Sequence, residues 1–156
     1  MTRVEVKNNY KLANCTAKII HLGSPYRYVV DFRLQSRQAV QDVAVQTVFC
    51  ISKQSGPCEK AIYNRTINFC DYLRHPSSDR LLQIVYSELN RRGNLPRSCP
   101  VQAGSYGFNS SFLIFRLPTF LPESMFRLDL NFYRAPGMTM GFTSQWYGSL
   151  RKIDLR

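Results

Sequence analysis

The chain has 156 residues and a formal net charge of +11, and 44% of its residues are hydrophobic. This mixture is too apolar for a disordered chain, and no apolar run approaches the ~20 residues that a helix needs to cross a bilayer. We therefore expect a single globular domain over residues 1–156 that does not span a membrane.

The predicted elements begin with two strands. Residues 26–34 alternate between large apolar and charged residues, which is typical of a strand with one buried face. Residues 42–51 alternate in the same way, and the polar residues 35–38 between them can turn the chain. We therefore expect the two strands to pair as a hairpin.

The middle of the chain changes to a helical period. Apolar residues at helical spacing follow Asp79, a residue type that favours the position before a helix, and Gly93 can stop the helix. The pattern predicts an amphipathic helix over about 79–92 and a shorter one around 66–73. The apolar stripe of the longer helix is expected to pack on a sheet, since surface helices ordinarily bury such a face.

Strands return in the last third of the chain. Residues 112–115 form a continuous apolar run, which suits a strand covered on both faces or one edge of an internal cavity. Residues 126–132 alternate cleanly, and a last strand is expected to begin at Met138. Leu-Pro pairs at 117–118 and 121–122 interrupt regular pairing and mark a crossing between strands. The chain is therefore predicted to be mainly β, with one or two short helices between the strand groups.

The cysteines favour disulfides over metal or cofactor chemistry. Five cysteines without a Cys-x-x-Cys pair, and two histidines, give little basis for a metal site, and we expect no cofactor. Cys99 precedes Pro100 at the end of an irregular stretch, where a sulfur can anchor the chain, and we expect Cys70 as its partner. Cys50 and Cys58 flank a turn cluster, so a bond across that loop is geometrically easy.

Sequence signals for export are mixed. Three Asn-x-Ser/Thr sequons, at Asn14, Asn64 and Asn109, exceed the roughly one that composition predicts and mark candidate glycosylation sites. They favour a secreted, extracellular protein. The first residues contain no apolar signal core, and Cys15 is left over when the other cysteines pair. We therefore expect the signal peptide to be missing from this chain, and a missing segment could also hold the partner of Cys15.

A search for catalytic patterns finds none of the common ones. The sequence has no His-Glu-x-x-His, no Gly-x-Ser-x-Gly elbow and no glycine loop that would cradle a phosphate. Its carboxylates are dispersed, and neither His21 nor His75 has an identifiable nucleophile or metal ligand beside it. We do not expect the protein to be an enzyme.

The positive charge predicts attraction to an anionic surface or to a receptor. Basic residues cluster only around 91–97 and 151–156, and no run of Lys or Arg is interleaved with aromatic residues, so we expect no nucleic-acid partner. One alternative function follows from this charge. The protein would be an extracellular module that binds a protein or a glycan through its basic surface, without a bound lipid.

The large apolar residues on the predicted strands are compatible with two kinds of interior. Close-packed phenylalanines could fill a two-sheet sandwich completely. Sheets held slightly apart would instead leave a slot for an acyl chain or sterol, with arginines at its mouth. The candidate residues for such a cavity are Tyr28, Val30, Phe32, Phe112, Ile114, Phe126, Leu128, Leu130 and Phe132.

Several segments, taken in order, resemble a known family. They are Tyr28–Phe32, Ala61–Leu73, Ser98–Pro100 and Leu121–Phe126, and the likeness extends from about Cys15 to about Phe132. The family is a large group of secreted insect proteins whose domain of unknown function is related to the ML lipid-recognition proteins, and it includes CheB-type chemosensory proteins. The resemblance implies an immunoglobulin-like β-sandwich with a lipid-accommodating interior, a signal peptide and glycosylation. It does not imply catalysis.

The sequence departs from that family pattern at three places. No cysteine precedes Cys15, Glu123 stands where a glycine is usual, and Cys50 and Cys58 are additional. These departures concern the disulfide map more than the fold. We expect a secreted ML-like sandwich that binds a hydrophobic ligand, either a lipid or a hydrocarbon-like molecule, without turnover.

Overall fold

The bounds of the elements come from a computed structural model, which describes residues 2–24, 27–52, 58, 60–110, 123–135 and 137–150. The strands are β1 (Arg3–Asn8), β2 (Ala13–Ser24), β3 (Arg27–Ser36), β4 (Val43–Ser52), β5 (Lys60–Asn68), β6 (Gly93–Asn94), β7 (Gly104–Ser110), β8 (Ser124–Arg134) and β9 (Thr139–Leu150). Helices α1 (Phe69–Arg74) and α2 (Arg80–Arg91), with a 3-10 turn at Pro76–Ser78, lie between β5 and β6.

The described strands form two antiparallel sheets. β1, β9, β8, β4 and β5 lie side by side in a five-stranded sheet, and β2, β3, β7 and β6 form a four-stranded sheet. The predicted architecture, a mainly β sandwich of two sheets with short helices between the strand groups, is confirmed. The cleanly alternating segment at 126–132 lies in β8, and the last strand begins one residue after Met138.

The hairpin expected between residues 26–34 and 42–51 is wrong. Both strands exist, as β3 and β4, but β3 pairs with β2 and β7, whereas β4 pairs with β5 and β8. The connection between them crosses from one sheet to the other. It is held by a backbone hydrogen bond from Arg37 to Leu12 and by a bridge between Val40 and Val101. The crossing sets the apolar rows of β3 and β4 on opposite walls of one interior.

Aromatic side chains join the two sheets. The ring of Phe32 on β3 stacks on that of Phe108 on β7, with centroids 5.1 Å apart. From the facing sheet, the rings of Phe142 and Trp146 on β9 come within 6.1 and 6.5 Å of Phe32. Such pairs contribute about 0.5–1.5 kcal/mol each beyond the area they bury, so Phe32 is the centre of the contact between the sheets.

The helices exist, but their boundaries differ from the predicted ones. The shorter helix begins only at Phe69, because β5 continues to Asn68, whose side chain accepts a hydrogen bond from the Asp71 N–H. Gly93 does not serve as a helix stop in the left-handed conformation. It begins β6, where a Cβ atom would overlap the carbonyl oxygen of Gly107 on β7. Glycine is therefore required for the close approach of the two strands.

A buried carboxylate fixes the start of α2 against β5. Oδ1 of Asp79 accepts the N–H of Leu82 at 3.0 Å, which caps the helix as the sequence predicts. Oδ2 accepts the hydroxyl of Tyr63 at 2.7 Å and a guanidinium N–H of Arg65 at 3.3 Å. Asp79 is buried, whereas Arg65 is half exposed and its ion pair is screened by solvent. The hydrogen bond from Tyr63 therefore stabilises the contact between α2 and β5 more than the ion pair does. Burial, and next the hydrogen bond to Asp79, raise the pKa of Tyr63 to about 12.

Replacement of Asp79 tests this contact. Asp79→Ala removes the cap and leaves the Tyr63 hydroxyl without its acceptor, so the free energy of unfolding should fall by about 2–3 kcal/mol. Tyr63→Phe, which keeps the cap, should cost only about 1 kcal/mol. Urea unfolding of both variants with intact disulfides measures the difference. Equal losses in the two variants would contradict the assignment of a capping role to Asp79.

Candidate ligand-binding interior

Two of the predicted cavity rows face each other across the interior. On β3, Val30 and Phe32 are buried and Tyr28 is partly buried, and desolvation by this burial raises the pKa of Tyr28. On β8, the row consists of Phe126, Leu128, Leu130 and Phe132. Tyr28, Leu128, Leu130 and Phe132 all pack against the core cluster that contains Val30 and Phe32. The two other predicted residues, Phe112 and Ile114, lie outside the described residues.

The β8 row lies in the middle of the five-stranded sheet. Leu128 is paired in register with Trp146 on β9 and with Phe49 on β4. Leu130 is paired with Ser144 and Thr47 in the same way. Because alternate residues of paired strands share a face, these side chains form one continuous patch on the inner wall.

This central row is not fully covered. Leu128, Leu130 and Phe132 each keep part of their surface exposed, although strands flank β8 on both sides and a second sheet faces it. Their neighbours at either end of the patch, Phe126 and Phe142, are buried. In a close-packed sandwich the inner face of a central strand loses nearly all contact with solvent. The row is therefore apolar surface on the inner wall that remains partly accessible.

The polar groups on this wall satisfy one another. The indole N–H of Trp146 donates to the hydroxyl of Ser144 at 3.0 Å, and that hydroxyl donates to the carbonyl oxygen of Leu130 at 2.8 Å. Trp146 and Ser144 are absent from the cavity residues predicted from the sequence. Alternation within β9 would have placed both on the same face as Phe142, but their importance depends on pairing with β8, which the sequence does not reveal.

A second apolar cluster lies under the helices. Phe69 and Tyr72 of α1 and Tyr86 of α2 meet with ring centroids 5.8–6.1 Å apart, over Val45 on β4. The apolar stripe of α2 thus packs against a sheet, as predicted, through this cluster. Phe132 contacts the cluster as well, so the helical segment borders the same interior as the β8 row.

Both predicted disulfides are confirmed. Cys50 and Cys58 are bonded with an S–S distance of 2.03 Å, and Cys70 and Cys99 with a distance of 2.02 Å. The second bond joins α1 to the segment after β6, and α2 lies between the two cysteines in the chain. It therefore encloses the helical segment that covers the inner face of β4 and β5.

Cys15 is a free thiol in the core. It is 2% exposed and belongs to the same cluster as Phe32 and Trp146, and burial raises its pKa to about 12. The side chain of Asn8 on β1 clamps its backbone, donating to the Cys15 carbonyl oxygen and accepting from its N–H, both at 2.9 Å. Packing thus accounts for the odd cysteine, which needs no disulfide partner at this position.

Alkylation tests the state of Cys15. Because the thiol is buried and held protonated, the folded protein should resist iodoacetamide at neutral pH, whereas the urea-unfolded, non-reduced chain should take up one label. Peptide mapping by mass spectrometry identifies the modified residue. Labelling of Cys15 in the folded protein as fast as in the unfolded chain would contradict its place in the core.

The three sequons differ in accessibility. Asn64 on edge strand β5 and Asn109 on β7 are exposed. Asn14 on β2 is only partly exposed, and the middle residue of its sequon, Cys15, is buried. Attachment of a glycan at Asn64 and Asn109 therefore remains our prediction, and Asn14 is the least accessible acceptor.

The described residues offer little for metal or membrane-spanning roles. They contain no group of three potential ligands among His, Cys, Asp and Glu, and no helix among them is long and apolar enough to cross a bilayer. Arg91 and Arg92, part of a predicted basic cluster, both contact the carboxylate of Glu88, at 2.9 and 3.8 Å. The second predicted cluster, residues 151–156, lies outside the described part of the chain.

Comparison with known families gives one match. Residues 47–128 match the family described as "Protein of unknown function (DUF1091)". The chain belongs to this family. The DUF1091 match begins within β4 and ends at Leu128 in β8, so it contains both helices and all four disulfide-bonded cysteines. No match to a curated protein was found.

Proposed function

We propose that this protein binds a hydrophobic ligand, a lipid or a hydrocarbon-like molecule, between its two sheets and without chemical turnover. The observation that supports the proposal most is the partly exposed row of Leu128, Leu130 and Phe132 on the inner wall of a central strand. Contact between water and apolar surface inside a sandwich is unfavourable in free energy. An apolar ligand would replace the water and make that free energy available for binding.

The wall chemistry favours an apolar chain over a polar ligand. The indole of Trp146 and the hydroxyl of Ser144 already have partners, so neither requires a hydrogen bond from the ligand. Recognition would then depend on buried area, with about 0.8 kcal/mol for each methylene removed from water. The resemblance to ML lipid-recognition proteins and to CheB-type chemosensory proteins supports the same class of ligand.

An extracellular location is part of the proposal. Two disulfides in a domain of this size are typical of an oxidising compartment, and two of the sequons stand on exposed strand positions. The protein would therefore bind its hydrophobic ligand outside the cell, as a secreted protein.

A bulkier side chain on the inner wall tests the proposal. Leu128→Trp adds bulk to the inner wall and should reduce co-purified lipid several-fold, because the new ring occupies the volume available to the ligand. Met125→Trp makes a similar size change on the opposite face of β8 and is the matched control. Protein from a secretory host is extracted with organic solvent, and the extract is quantified by mass spectrometry against protein.

Each result of this experiment is decisive. Lipid lost in Leu128→Trp and kept in Met125→Trp supports the interior site. Equal lipid content in both variants, or no lipid in the wild-type protein and none taken up from added fatty acid, would contradict it. If Leu128→Trp does not fold, Leu130→Phe makes a smaller change on the same wall and is tested by the same measurement.

A further inference from the structure

Three connections meet at one end of the sandwich. They are residues 9–12 between β1 and β2, residues 37–42 between β3 and β4, and residues 135, 137 and 138 between β8 and β9. Backbone hydrogen bonds tie them to one another and to β9, from Asn9 to Gly141 at 2.9 Å, from Arg37 to Leu12 at 3.0 Å and from Ala135 to Asp42 at 3.1 Å. We call this surface the loop end. Its hydrogen bonds hold the connections in a fixed arrangement.

The loop end presents two large apolar side chains to solvent. Tyr10 is 62% exposed and Met138 is 47% exposed. Met138 also has a φ angle of +50°, directly after Gly137 with a φ of +87°. Glycine or asparagine is the usual residue in this left-handed conformation, and Met138 is absent from the buried core residues, whose packing could offset the strain. Backbone strain that stability does not explain is a reason to look for function.

The loop end also carries positive charge that is not paired within the described residues. Lys11, Arg37 and Arg134 lie in or next to the three connections, are exposed, and make no ion pair within the described residues. The carboxylate of Asp42 is the acidic group of the loop end. The loop end is therefore net positive and carries one aromatic and one flexible apolar side chain that are exposed.

We propose that the loop end docks on an anionic phospholipid bilayer. Tyrosine is suited to the headgroup region, because its ring is apolar and its hydroxyl stays hydrated. A methionine on a protruding turn can enter the acyl boundary, and basic side chains around both would contact lipid phosphates and carboxylates. The fixed connections present all five side chains together, so little ordering is needed on contact.

The proposal does not depend on ligand binding in the interior. Ile20 and Leu22, the other large aliphatic side chains exposed on the described surface, lie toward the opposite end of β2. They provide a control of the same kind at a different place. Vesicle binding and lipid content can be measured on the same preparations, so failure of either proposal is separable from failure of the other.

Co-sedimentation with vesicles tests the docking. The full chain is mixed with vesicles of phosphatidylcholine, with or without phosphatidylserine, at low and at physiological salt. We expect binding only to the vesicles that contain phosphatidylserine, and weaker binding at higher salt. The triple variant Lys11→Gln, Arg37→Gln and Arg134→Gln should lose about a hundredfold in partition coefficient, since each basic side chain near an anionic surface contributes about fivefold.

Variants of the apolar side chains locate the contact. Tyr10→Ser with Met138→Asn should reduce binding at least tenfold, and asparagine suits the left-handed turn, so this variant should fold. Ile20→Ser with Leu22→Ser should bind like the wild-type protein. No binding of the wild type to phosphatidylserine vesicles, or a loss confined to the Ile20 and Leu22 variant, would overturn the proposal.

Discussion

The contact of Phe32 with the rings of Phe142 and Trp146 is the interaction on which the two-sheet arrangement depends. It joins β3 of one sheet to β9 of the other, and Phe108 supports it from the next strand. Around this point the interior is closely packed. The row of Leu128, Leu130 and Phe132 is only partly covered, although it lies on the strand next to β9. If a hydrophobic ligand covers this row, as we propose, the aromatic contact can hold the two sheets together beside the ligand.

Helices, rather than strands, cover the inner face of β4 and β5. Two kinds of interaction hold them there. One is the disulfide between Cys70 and Cys99, and the other is the pair of hydrogen bonds that the buried carboxylate of Asp79 accepts from Tyr63 and Leu82. All of these residues lie within the part of the chain that defines the family match. The match also covers part of β4, all of β5, β6 and β7 and part of β8, while Cys15 and β9 lie outside it.

Local patterns in the sequence predicted much of this structure. Alternation located β3, β4 and β8, helical spacing after Asp79 located α2, and turn residues between cysteines located the bond from Cys50 to Cys58. These features are short-range, so neighbouring residues determine them. The pairing of β3 with β7, and of β4 with β8, joins residues 68 or more positions apart, and alternation is the same whichever partner a strand takes. The expected hairpin was wrong for that reason.

For the candidate site as well, local patterns were predictable and the contacts made by strand pairing were not. The sequence identified inward rows on β3 and β8, but not Trp146 and Ser144, because their contact with Leu130 follows from strand pairing. Whether the interior is filled depends on the separation of the sheets, which no residue pattern encodes. A crystal structure of protein purified from a secretory host measures it directly. We expect elongated electron density from a hydrophobic ligand beside Leu128 and Leu130. An interior closed by protein side chains alone, with no density beyond them, would contradict it.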